Sequence, residues 1–344
     1  MKKKYLNIGL SIAVVATMTA CTKYDALVAP DDFQVTTEKT TYKVGDSVIF
    51  NFNTGPNQIT FYSGEMGKRY ENRERTMMAG NPKLVFQTSM QQGLLANPDS
   101  LQLLVSTNLR GYDSANIVNA TWTNITSRNT KWPTTLATTY VTSDSISLAD
   151  FNDASSVHIA FRVKNNKYAT SAQRKWNVQN LNLTNFLPDG TNSFLFNNFA
   201  NTGWVQASLK NNSTPGFMAW NVGEGGFSSS NNSVNSHGIT IRSAYPITFD
   251  PGTATNVDEN DDWLITSPVD LKTVRRDVGV TIKNDINGAF NGFTYVYNNE
   301  PGIYAKYLYF FRTPGVYNVT FVAGNYNNDK QHQVVKHLQL TITP

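Results

Sequence analysis

The chain has only one cysteine, Cys21, and only four histidines among its 344 residues. A single cysteine cannot form a disulfide within the chain, so the fold has to rest on apolar burial and backbone hydrogen bonds. Charged residues make up only 16 % of the chain, whereas aromatic residues make up 12 %. This balance excludes an intrinsically disordered chain, which has high charge and few aromatic residues. The composition therefore favours a folded, β-rich protein.

The sequence also lacks the motifs of well-known catalytic sites. None of its histidines occurs in the H-E-x-x-H or H-x-H spacing of a zinc hydrolase; they are His158, His237, His332 and His337. There is no G-x-S-x-G motif, and the glycine-rich segment 223–226 has no Lys-Ser/Thr of a phosphate-binding loop. We therefore expect no enzymatic activity and no cofactor. A secreted glycoside hydrolase is the catalytic alternative that stays open, because two carboxylates can face each other across a cleft at any sequence spacing.

A long apolar run occurs only near the N-terminus. Three lysines at positions 2–4 precede the apolar stretch 8–20, and small residues come directly before Cys21. The stretch is too short to span a bilayer, which needs ~20 helical residues. This pattern predicts a lipoprotein signal peptide over residues 1–20 and a lipid on Cys21, through which the protein contacts the membrane. The alternative is an ordinary signal peptide followed by an incidental cysteine.

Positive charge is concentrated in the same leader. Removing residues 1–20 takes away three lysines and lowers the formal net charge from +4 to +1. A nearly neutral chain has no electrostatic footprint for nucleic acid, which we therefore exclude as a partner. The remaining 324 residues are enough for two or three domains.

Alternation of apolar and polar residues runs through most of the remaining chain. In the segment 157–163 the apolar side chains of every second residue share one face, and the segments 47–52 and 315–323 show the same period of two. Glycine, asparagine, aspartate and proline separate these short runs. No ten-residue window after residue 30 has the period of a helix. The sequence therefore predicts an all-β protein built from sandwiches.

Two segments at opposite ends of the chain resemble one type of domain. The segment 42–48 (YKVGDSV) and the segment 314–320 (PGVYNVT) are similar to the opening and closing strands of a PKD-type immunoglobulin-like domain. The resemblance implies either two domains that each lack half of their strands, or one sandwich interrupted by a long insertion. We expect the single, discontinuous sandwich, because domain termini that lie close together tolerate insertions.

The interval between these segments resembles the galactose-binding-like jelly rolls of secreted bacterial adhesins and glycan-binding proteins. The similarity lies in the segments 147–151 (SLADF), 157–162 (VHIAFR) and 176–178 (WNV), followed by 261–271 (DDWLITSPVDL). In those adhesins the last segment precedes the second one, so the order along the chain differs here. The resemblance implies an inserted, jelly-roll-like β-sandwich region.

These resemblances lead to a predicted division of the chain. The predicted parts are a signal peptide (1–20), a tether (21–32), an immunoglobulin-like sandwich (33–75 plus 301–344), a jelly-roll-like β-sandwich (76–186) and a further β-rich region (187–300). The last region either continues the jelly roll or forms a domain of its own.

The segment 59–65 (ITFYSGE), after the PKD-like opening, resembles an uncharacterised family of Bacteroidota surface lipoproteins, a domain of unknown function. Genes of that family commonly lie beside the SusC and SusD pairs of glycan-utilisation loci. The resemblance covers nearly all of the mature chain. It implies a non-catalytic lipoprotein, anchored at the outer membrane and facing the cell surface, that binds glycans in support of SusC/SusD-type proteins. The alternative is a structural or assembly lipoprotein that contacts other outer-membrane proteins.

Tryptophans are the candidate ligand-binding residues, because a sugar ring packs its C–H face on an aromatic ring. Trp122, Trp176 and Trp263 lie in alternating segments, which predicts core positions. The other three lie in polar, asparagine-rich or glycine-rich surroundings and are candidates for exposed platforms: Trp132, Trp204 and Trp220. We expect a glycan to bind there, within the inserted region.

The densest acidic segment (DENDD) is a candidate for calcium binding. Asp258, Asn260 and Asp262 stand two residues apart, as do the first three oxygen ligands of a calcium-binding loop. Position six of such a loop would be Trp263 instead of glycine, and position twelve would be Val269 instead of glutamate, which excludes an EF-hand. A different calcium site and a solvated acidic turn are the two remaining interpretations.

The lipid anchor leads to a first testable prediction. Cys21→Ala removes the only thiol that can carry a lipid, and each buried CH₂ of a lipid chain contributes ~0.8 kcal/mol to membrane affinity. We expect the variant to leave the membrane fraction and to appear in the soluble fraction after cell lysis. A Cys21→Ala protein that still sediments with outer membranes after a salt wash contradicts the lipoprotein interpretation.

Overall fold

The computed structural model describes residues 27–98, 100–197, 205–210, 218–221, 239–240, 247–256, 259–284, 305–327 and 330–344. The predicted signal peptide and Cys21 lie outside these residues. Short runs in which every second side chain is apolar form strands, since the alternation puts those side chains on one face of a sheet. The regular secondary structure of the described residues is almost entirely β, so the predicted all-β class is confirmed.

Twenty-one strands, one α-helix and three 3₁₀ helices make up the regular structure of these residues. The strands, in chain order, are β1 Val35–Thr36, β2 Thr41–Lys43, β3 Ser47–Phe52, β4 Gln58–Tyr62, β5 Asn81–Gln91, β6 Ser100–Ser106, β7 Thr123–Asn124, β8 Val141–Thr142, β9 Ile146–Ser147, β10 His158–Asn165, β11 Lys175–Phe186, β12 Asn192–Asn197, β13 Val205–Lys210, β14 Met218–Asn221, β15 Ile239–Thr240, β16 Ile247–Phe249, β17 Asn260–Ile265, β18 Val280–Asn284, β19 Ala305–Phe310, β20 Gly315–Tyr326 and β21 Gln331–Thr343. The α-helix α1 is Ser114–Asn119, and the 3₁₀ helices are Tyr70–Asn72, Thr126–Arg128 and Ala149–Phe151. None of the helices found in these ranges is long and apolar enough to cross a membrane.

The chain folds into two compact units. The first unit joins residues 1–73 to residues 278–344, and the second unit comprises residues 74–277. Two sheets form the first unit: a three-stranded sheet in the order β1-β3-β19 and a five-stranded sheet in the order β18-β4-β20-β21-β2. Since β4 pairs with β20, strands that precede and follow the second unit share one sheet, as a discontinuous immunoglobulin-like sandwich requires.

Aromatic rings fill the space between the two sheets of the first unit. Val48, Phe50 and Phe52 alternate with more exposed residues along β3 and are buried. Phe61 on β4 and Phe321 on β20 are opposite each other in register, and their ring centroids are 5.1 Å apart. Full burial of a phenylalanine side chain contributes roughly 1.5–3 kcal/mol. This core therefore needs strands from both segments of the unit.

The second unit is a sandwich of a six-stranded sheet and a seven-stranded sheet. The first has the order β14-β13-β17-β10-β6-β7, and the second has the order β15-β16-β11-β5-β8, with β12 paired to β11 and β9 paired to β5. Along β10 the side chains of Ile159, Phe161 and Val163 are buried in the core of the unit. β17 lies directly beside β10, with Ile265 opposite Ala160. The two segments that resemble adhesin strands are thus neighbours in space, although their order in the chain is reversed.

A smaller apolar cluster forms where α1 meets the six-stranded sheet. Asp113 caps this helix, since its Oδ1 accepts a hydrogen bond of 3.0 Å from the backbone N–H of Asn116. Ile117 of the helix belongs to the same cluster as Trp263 of β17. Trp122 packs on it as well, with its ring centroid 5.0 Å from that of Trp263. Trp263 is 3 % exposed, as its predicted core position requires, whereas Trp122 is only half-buried.

The boundary between the units differs from the predicted division. β18 falls in the region 187–300 of the sequence analysis, but it pairs with β4 of the first unit, with Val280 opposite Phe61. The other strands of that region, β12 to β17, pair within the two sheets of the second unit. The second unit therefore contains 187–277 together with 74–186. An alternating pattern could not show this, because it indicates the face on which a side chain lies but not the neighbouring strand.

The chain enters and leaves the second unit through two segments that pair with each other. The N–H of Met78 donates to the carbonyl of Lys272 over 2.8 Å, and the N–H of Val274 donates to the carbonyl of Thr76 over 3.0 Å. An isolated antiparallel bridge between residues 77 and 273 completes the contact. The two ends of this unit are therefore held together by the unit itself.

Arg75 joins the same two segments through its side chain. Its Nη1 lies 2.6 Å from Asp189 Oδ2, and its Nη2 lies 3.3 Å from Asp277 Oδ1. The side chains of Arg75, Asp189 and Asp277 are 12, 16 and 3 % exposed, so these charges are largely removed from water. Burial tends to raise the pKa of Asp189, but hydrogen bonds from Thr191 and Arg75 outweigh this effect and lower the pKa to about 2.

Arg75→Gln is expected to destabilise the second unit by about 2–3 kcal/mol, because it removes charge-assisted hydrogen bonds to two carboxylates that are poorly hydrated. The pKa of Asp189 is about 2 instead of its ordinary 3.8. A depressed pKa means that the stabilisation is present above about pH 4 and is lost as the pH falls toward 2. Urea unfolding should therefore separate the variant from the parent at neutral pH, and the two should converge in acid.

Arg276→Gln is the matched control for this prediction. The ion pair of Arg276 with Glu74 spans 4.0 Å, and both side chains are more than half exposed. We expect this change to cost less than about 1 kcal/mol. An Arg75→Gln effect that is the same at neutral and acidic pH, or no larger than that of Arg276→Gln, contradicts the role of the Arg75 ion pairs.

Candidate functional site

A concave surface of the first unit, here called the Tyr309 pocket, has a volume of about 690 Å³. The turn after β4, the first residue of β18, and β19 with the segment that follows it contribute its walls. The lining residues are Glu65, Lys68, Val280, Tyr307, Leu308, Tyr309, Phe310 and Arg312. Pockets of roughly 300–1,000 Å³ hold small organic ligands. The surface is therefore large enough for a ligand of that size.

β19 supplies the aromatic wall of the pocket. Tyr307 and Tyr309 alternate with Leu308 and Phe310 along this strand. The rings of both tyrosines pack on Phe61, each with a centroid distance of 4.9 Å. Phe310, in contrast, is 48 % exposed. The pocket thus combines rings that the core holds in place with one ring that is open to solvent.

The turn after β4 supplies the charged wall. Gly64 has a φ of +79°, and a Cβ atom there would lie 2.8 Å from the backbone oxygen of Asn318, so this position requires glycine. The N–H of Lys68 donates to the carbonyl of Glu65 over 2.9 Å, and the N–H of Gly64 donates to the carbonyl of Lys68 over 3.0 Å. These bonds fix the turn in a shape from which the side chains of Glu65 and Lys68 reach Tyr309.

Glu65 is the centre of a hydrogen-bond network in the pocket. Its Oε2 accepts a bond of 2.8 Å from the hydroxyl of Ser63 and another bond from the hydroxyl of Tyr309. Lys68 Nζ donates to Tyr309 Oη over 3.2 Å and lies 3.8 Å from Glu65 Oε2. The network sets the positions of these side chains before a ligand arrives, which lowers the entropic cost of binding.

The ionisable groups of the pocket suit hydrogen bonding. Desolvation raises the pKa of Tyr307 to about 12, with a further contribution from Tyr309 beside it, so the Tyr307 hydroxyl stays neutral at physiological pH. Glu65 is the only carboxylate among the described lining residues, whereas a glycoside hydrolase ordinarily uses two. No group of three or more His, Cys, Asp or Glu side chains in the described part of the chain could hold a metal ion.

A second concave surface of the first unit, of about 530 Å³, has no exposed aromatic ring among its described lining residues. Its two aromatic lining residues, Tyr42 and Phe52, are 4 % and 1 % exposed because they belong to the core. The Tyr309 pocket is therefore the better candidate for a ligand that has both an apolar face and polar groups.

The predicted platform residue Trp132 packs against the core of the second unit. Its ring centroid lies 5.8 Å from that of Phe86 and 6.5 Å from that of Trp176. Its Nε1 donates to the carbonyl of Thr126 over 3.3 Å. Trp132 is half-buried, and Trp176, at 5 % exposure, is a core residue as predicted. These contacts favour a packing role for Trp132, since its neighbours in space are apolar although its neighbours in the sequence are polar.

The other candidate platform residues, Trp204 and Trp220, belong to the part of the second unit between β12 and β15. Trp204 lies outside the described residues. Trp220 is in β14, where it pairs with Gln206 of β13. Their role in glycan binding stays a prediction, and it concerns the second unit, whereas the Tyr309 pocket belongs to the first.

Two of the candidate calcium ligands lie in a strand rather than in a solvated turn. Asp258 lies outside the described residues, whereas Asn260 and Asp262 are in β17 and are 4 % and 2 % exposed. Alternate residues of a strand share a face, and Asn165 is opposite Asn260 on the same face. The acidic-turn interpretation is therefore wrong for Asn260 and Asp262, because strand pairing overrides the turn preference of Asp and Asn. The calcium site itself stays a prediction.

Sequence reasoning missed the residues of the Tyr309 pocket. A usable signal was present in the segment 306–310 (KYLYF) of β19, in which aromatic and aliphatic side chains occupy both faces of the strand. An antiparallel strand with one solvated face has polar residues on that face. Apolar side chains on both faces therefore distinguish this strand from one with a solvated, polar face.

Trp132→Ala is expected to lower the free energy of unfolding by roughly 2 kcal/mol, less than the ~3–5 kcal/mol expected for the fully buried Trp176→Ala. The reason is that Trp132 is half-buried and packs on Phe86. Denaturant unfolding of the two variants measures both effects. Unchanged stability of Trp132→Ala, together with weaker retardation in gels that contain a polysaccharide, would show instead that Trp132 is a binding platform.

One known family shares sequence with this chain. No curated protein and no solved structure matches the chain. The model of a family described as a domain of unknown function, DUF5017, matches residues 20–204, which is more than half of the chain. The matched region includes β1 to β4 of the first unit and continues into the second unit. The chain therefore belongs to the DUF5017 family, a family of unknown function.

Proposed function

We propose that this protein is a non-catalytic, glycan-binding lipoprotein and that the Tyr309 pocket binds the glycan. The main support is that the exposed ring of Phe310 and the hydrogen-bond network of Glu65, Tyr309 and Lys68 line the same pocket. A sugar ring has an apolar C–H face and a rim of hydroxyl groups. An aromatic surface complements the apolar face, and fixed donors and acceptors complement the hydroxyl groups.

The proposed location is the outer membrane of a Bacteroidota cell, with the lipid on Cys21 as the anchor and both units at the cell surface. There the bound glycan would be available to uptake proteins of the SusC/SusD type. This part of the proposal rests on the leader sequence and on the resemblance of the segment 59–65, whose last residue is Glu65. The position of Glu65 in the wall of the pocket supports a binding role for that segment.

Phe310→Ala tests the proposed site. The change removes a ring that is 48 % exposed, so it should alter stability little. We expect it to weaken polysaccharide binding at least tenfold, which corresponds to about 1.4 kcal/mol. The measurement is retardation of the soluble Cys21→Ala protein in gels that contain one of a panel of polysaccharides, followed by titration calorimetry with any polymer that retards it.

Phe194→Ala is the control variant, because Phe194 is an exposed phenylalanine of β12 in the second unit, at 70 % exposure. It should leave binding unchanged. If the parent binds and Phe310→Ala does not weaken that binding more than Phe194→Ala does, the glycan site is not the Tyr309 pocket.

New reducing ends in a polysaccharide incubated with the protein would contradict a non-catalytic role.

An assembly role is the second candidate function, and the apolar residues of the same pocket favour it. Val280 and Phe310 are 39 % and 48 % exposed and both line the pocket. Exposed apolar side chains that lie together often mark protein–protein contacts. In that case no polysaccharide would retard the parent protein, and Phe310→Ala would reduce its co-purification with an outer-membrane protein.

A further inference from the structure

The Tyr309 pocket has an excess of positive charge. Its described lining residues include two cations, Lys68 and Arg312, and one carboxylate, Glu65. The other concave surface described above, of about 530 Å³, has one lysine and one glutamate as its charged lining residues. A third surface of the first unit, of about 370 Å³, is lined by one arginine and two glutamates. Of these three surfaces, the Tyr309 pocket is the one suited to a ligand with negative charge.

The negative charge of Glu65 is already compensated within the protein. Its Oε2 accepts hydrogen bonds from Ser63 and Tyr309, and Lys68 Nζ lies 3.8 Å away. The side chain of Glu65 is 20 % exposed, whereas that of Lys68 is 44 % exposed. A ligand that enters the pocket therefore has more access to the ammonium group than to the carboxylate.

Lys68 keeps donor capacity for a ligand. An ammonium group has three N–H donors. One of them serves the bond of 3.2 Å to Tyr309 Oη, and the contact with Glu65 is long for a hydrogen bond. The remaining capacity is available to an anion that lies beside Tyr309.

Arg312 adds a second cation to the wall of the pocket. It is exposed and lies two residues after the end of β19. None of the ion pairs formed among the described residues includes Arg312. Exposure alone does not explain this, because the exposed Lys131 does form an ion pair, with its Nζ 3.2 Å from Asp144. A guanidinium group binds a carboxylate or sulfate through two parallel N–H···O bonds. Arg312 is therefore placed to recognise a planar or tetrahedral oxyanion.

We propose that the glycan of the Tyr309 pocket is acidic: a carboxylate or sulfate on the sugar is bound by Arg312 and Lys68, while Phe310 packs against the sugar ring. This inference rests on the proposed glycan-binding function and names the class of glycan. The acidic group supplies the negative charge that balances the excess positive charge of the pocket, and the sugar ring supplies the apolar face that Phe310 complements.

The test compares acidic polysaccharides with the same polymers after their charge has been removed. Polygalacturonate and alginate are measured before and after reduction of their carboxylates to alcohols, chondroitin sulfate is measured before and after desulfation, and neutral polysaccharides complete the panel. The protein is the soluble, full-length Cys21→Ala variant. We expect at least one acidic polymer to bind at least tenfold more tightly than its uncharged or less charged form. That binding should weaken as salt is added, because exposed charge pairs are screened.

Arg312→Gln and Lys330→Gln separate the pocket from the general charge of the protein. Arg312→Gln should weaken binding of the acidic polymer about tenfold and binding of its reduced form by less than about threefold, since the alcohol lacks the charge that the guanidinium group pairs with. Lys330→Gln removes one positive charge from an exposed position just before β21 that does not line the pocket, so its effect should stay within about twofold. Thermal midpoints of both variants, measured in parallel, show whether the fold is retained.

Three outcomes overturn the inference and leave the proposed function standing: equal binding of charged and uncharged polymers, binding of neutral polysaccharides only, or acidic binding that Arg312→Gln does not weaken. Displacement of the polymer by inorganic phosphate at matched ionic strength would indicate a simple anion site and would also overturn it. If no acidic or neutral polysaccharide binds the parent protein, the glycan-binding function itself is contradicted, and the inference fails with it.

Discussion

The packing of Phe61 against Phe321 joins strands that precede the second unit to strands that follow it, and the whole first unit depends on this contact. Neither segment of the unit has a complete sandwich of its own, because β4 lies between β18 and β20. The entropic cost of closing a loop grows only slowly with its length, by about 0.6 kcal/mol per doubling. The second unit reduces this cost further, since its backbone bonds near Thr76 and Val274 already bring its two ends together. A discontinuous sandwich without any disulfide is thus physically reasonable.

The same core also holds the candidate site. The ring of Tyr309 packs on Phe61, and its hydroxyl donates a hydrogen bond to Glu65 in the pocket. The positions of the pocket side chains therefore depend on the packing of the core beneath them. The site is therefore rigid where it contacts the core, at Tyr307 and Tyr309, and open to solvent at Phe310. A ligand that binds only the folded first unit stabilises it by mass action. Bound ligand should accordingly raise the free energy of unfolding of this unit.

Much of the fold could be predicted from local sequence patterns. The period of two in segments such as 157–163 and 315–323, together with the turn residues between them, was enough to predict strands and the all-β class. The link between the two ends of the chain came instead from the resemblance of the segments 42–48 and 314–320 to a PKD-type domain. The neighbour of each strand was not accessible in this way, and β18 was accordingly placed in the wrong region. Pairing partners are decided by tertiary contacts that no short segment contains.

The candidate site was harder to predict for a related reason. The search for exposed tryptophans treated polar sequence neighbours as a sign of exposure, but Trp132 is surrounded in space by Phe86 and Trp176. The opposite error concerns Asn260 and Asp262, for which a solvated turn was the alternative to a calcium site. Both residues are of types that favour turns, but they are buried in a central strand. The Tyr309 pocket arises only when a turn after β4 meets β19, and the aromatic and aliphatic residues of β19 did not indicate which turn they would meet. A site made from distant segments has to be read from the structure.

The discontinuous first unit also has a consequence for biosynthesis. β1 to β4 are translated before the second unit, whereas β20 and β21, which complete their core, are translated after it. The second unit is contiguous and has all the strands of its two sheets as soon as residue 277 has emerged, so it can fold first. Until β20 and β21 have been translated, the early strands present unpaired edges and bare aromatic side chains, which are prone to aggregate. The pocket around Tyr309 consequently forms only after β20 has been translated, and a chain interrupted before β20 would carry a finished second unit but no pocket.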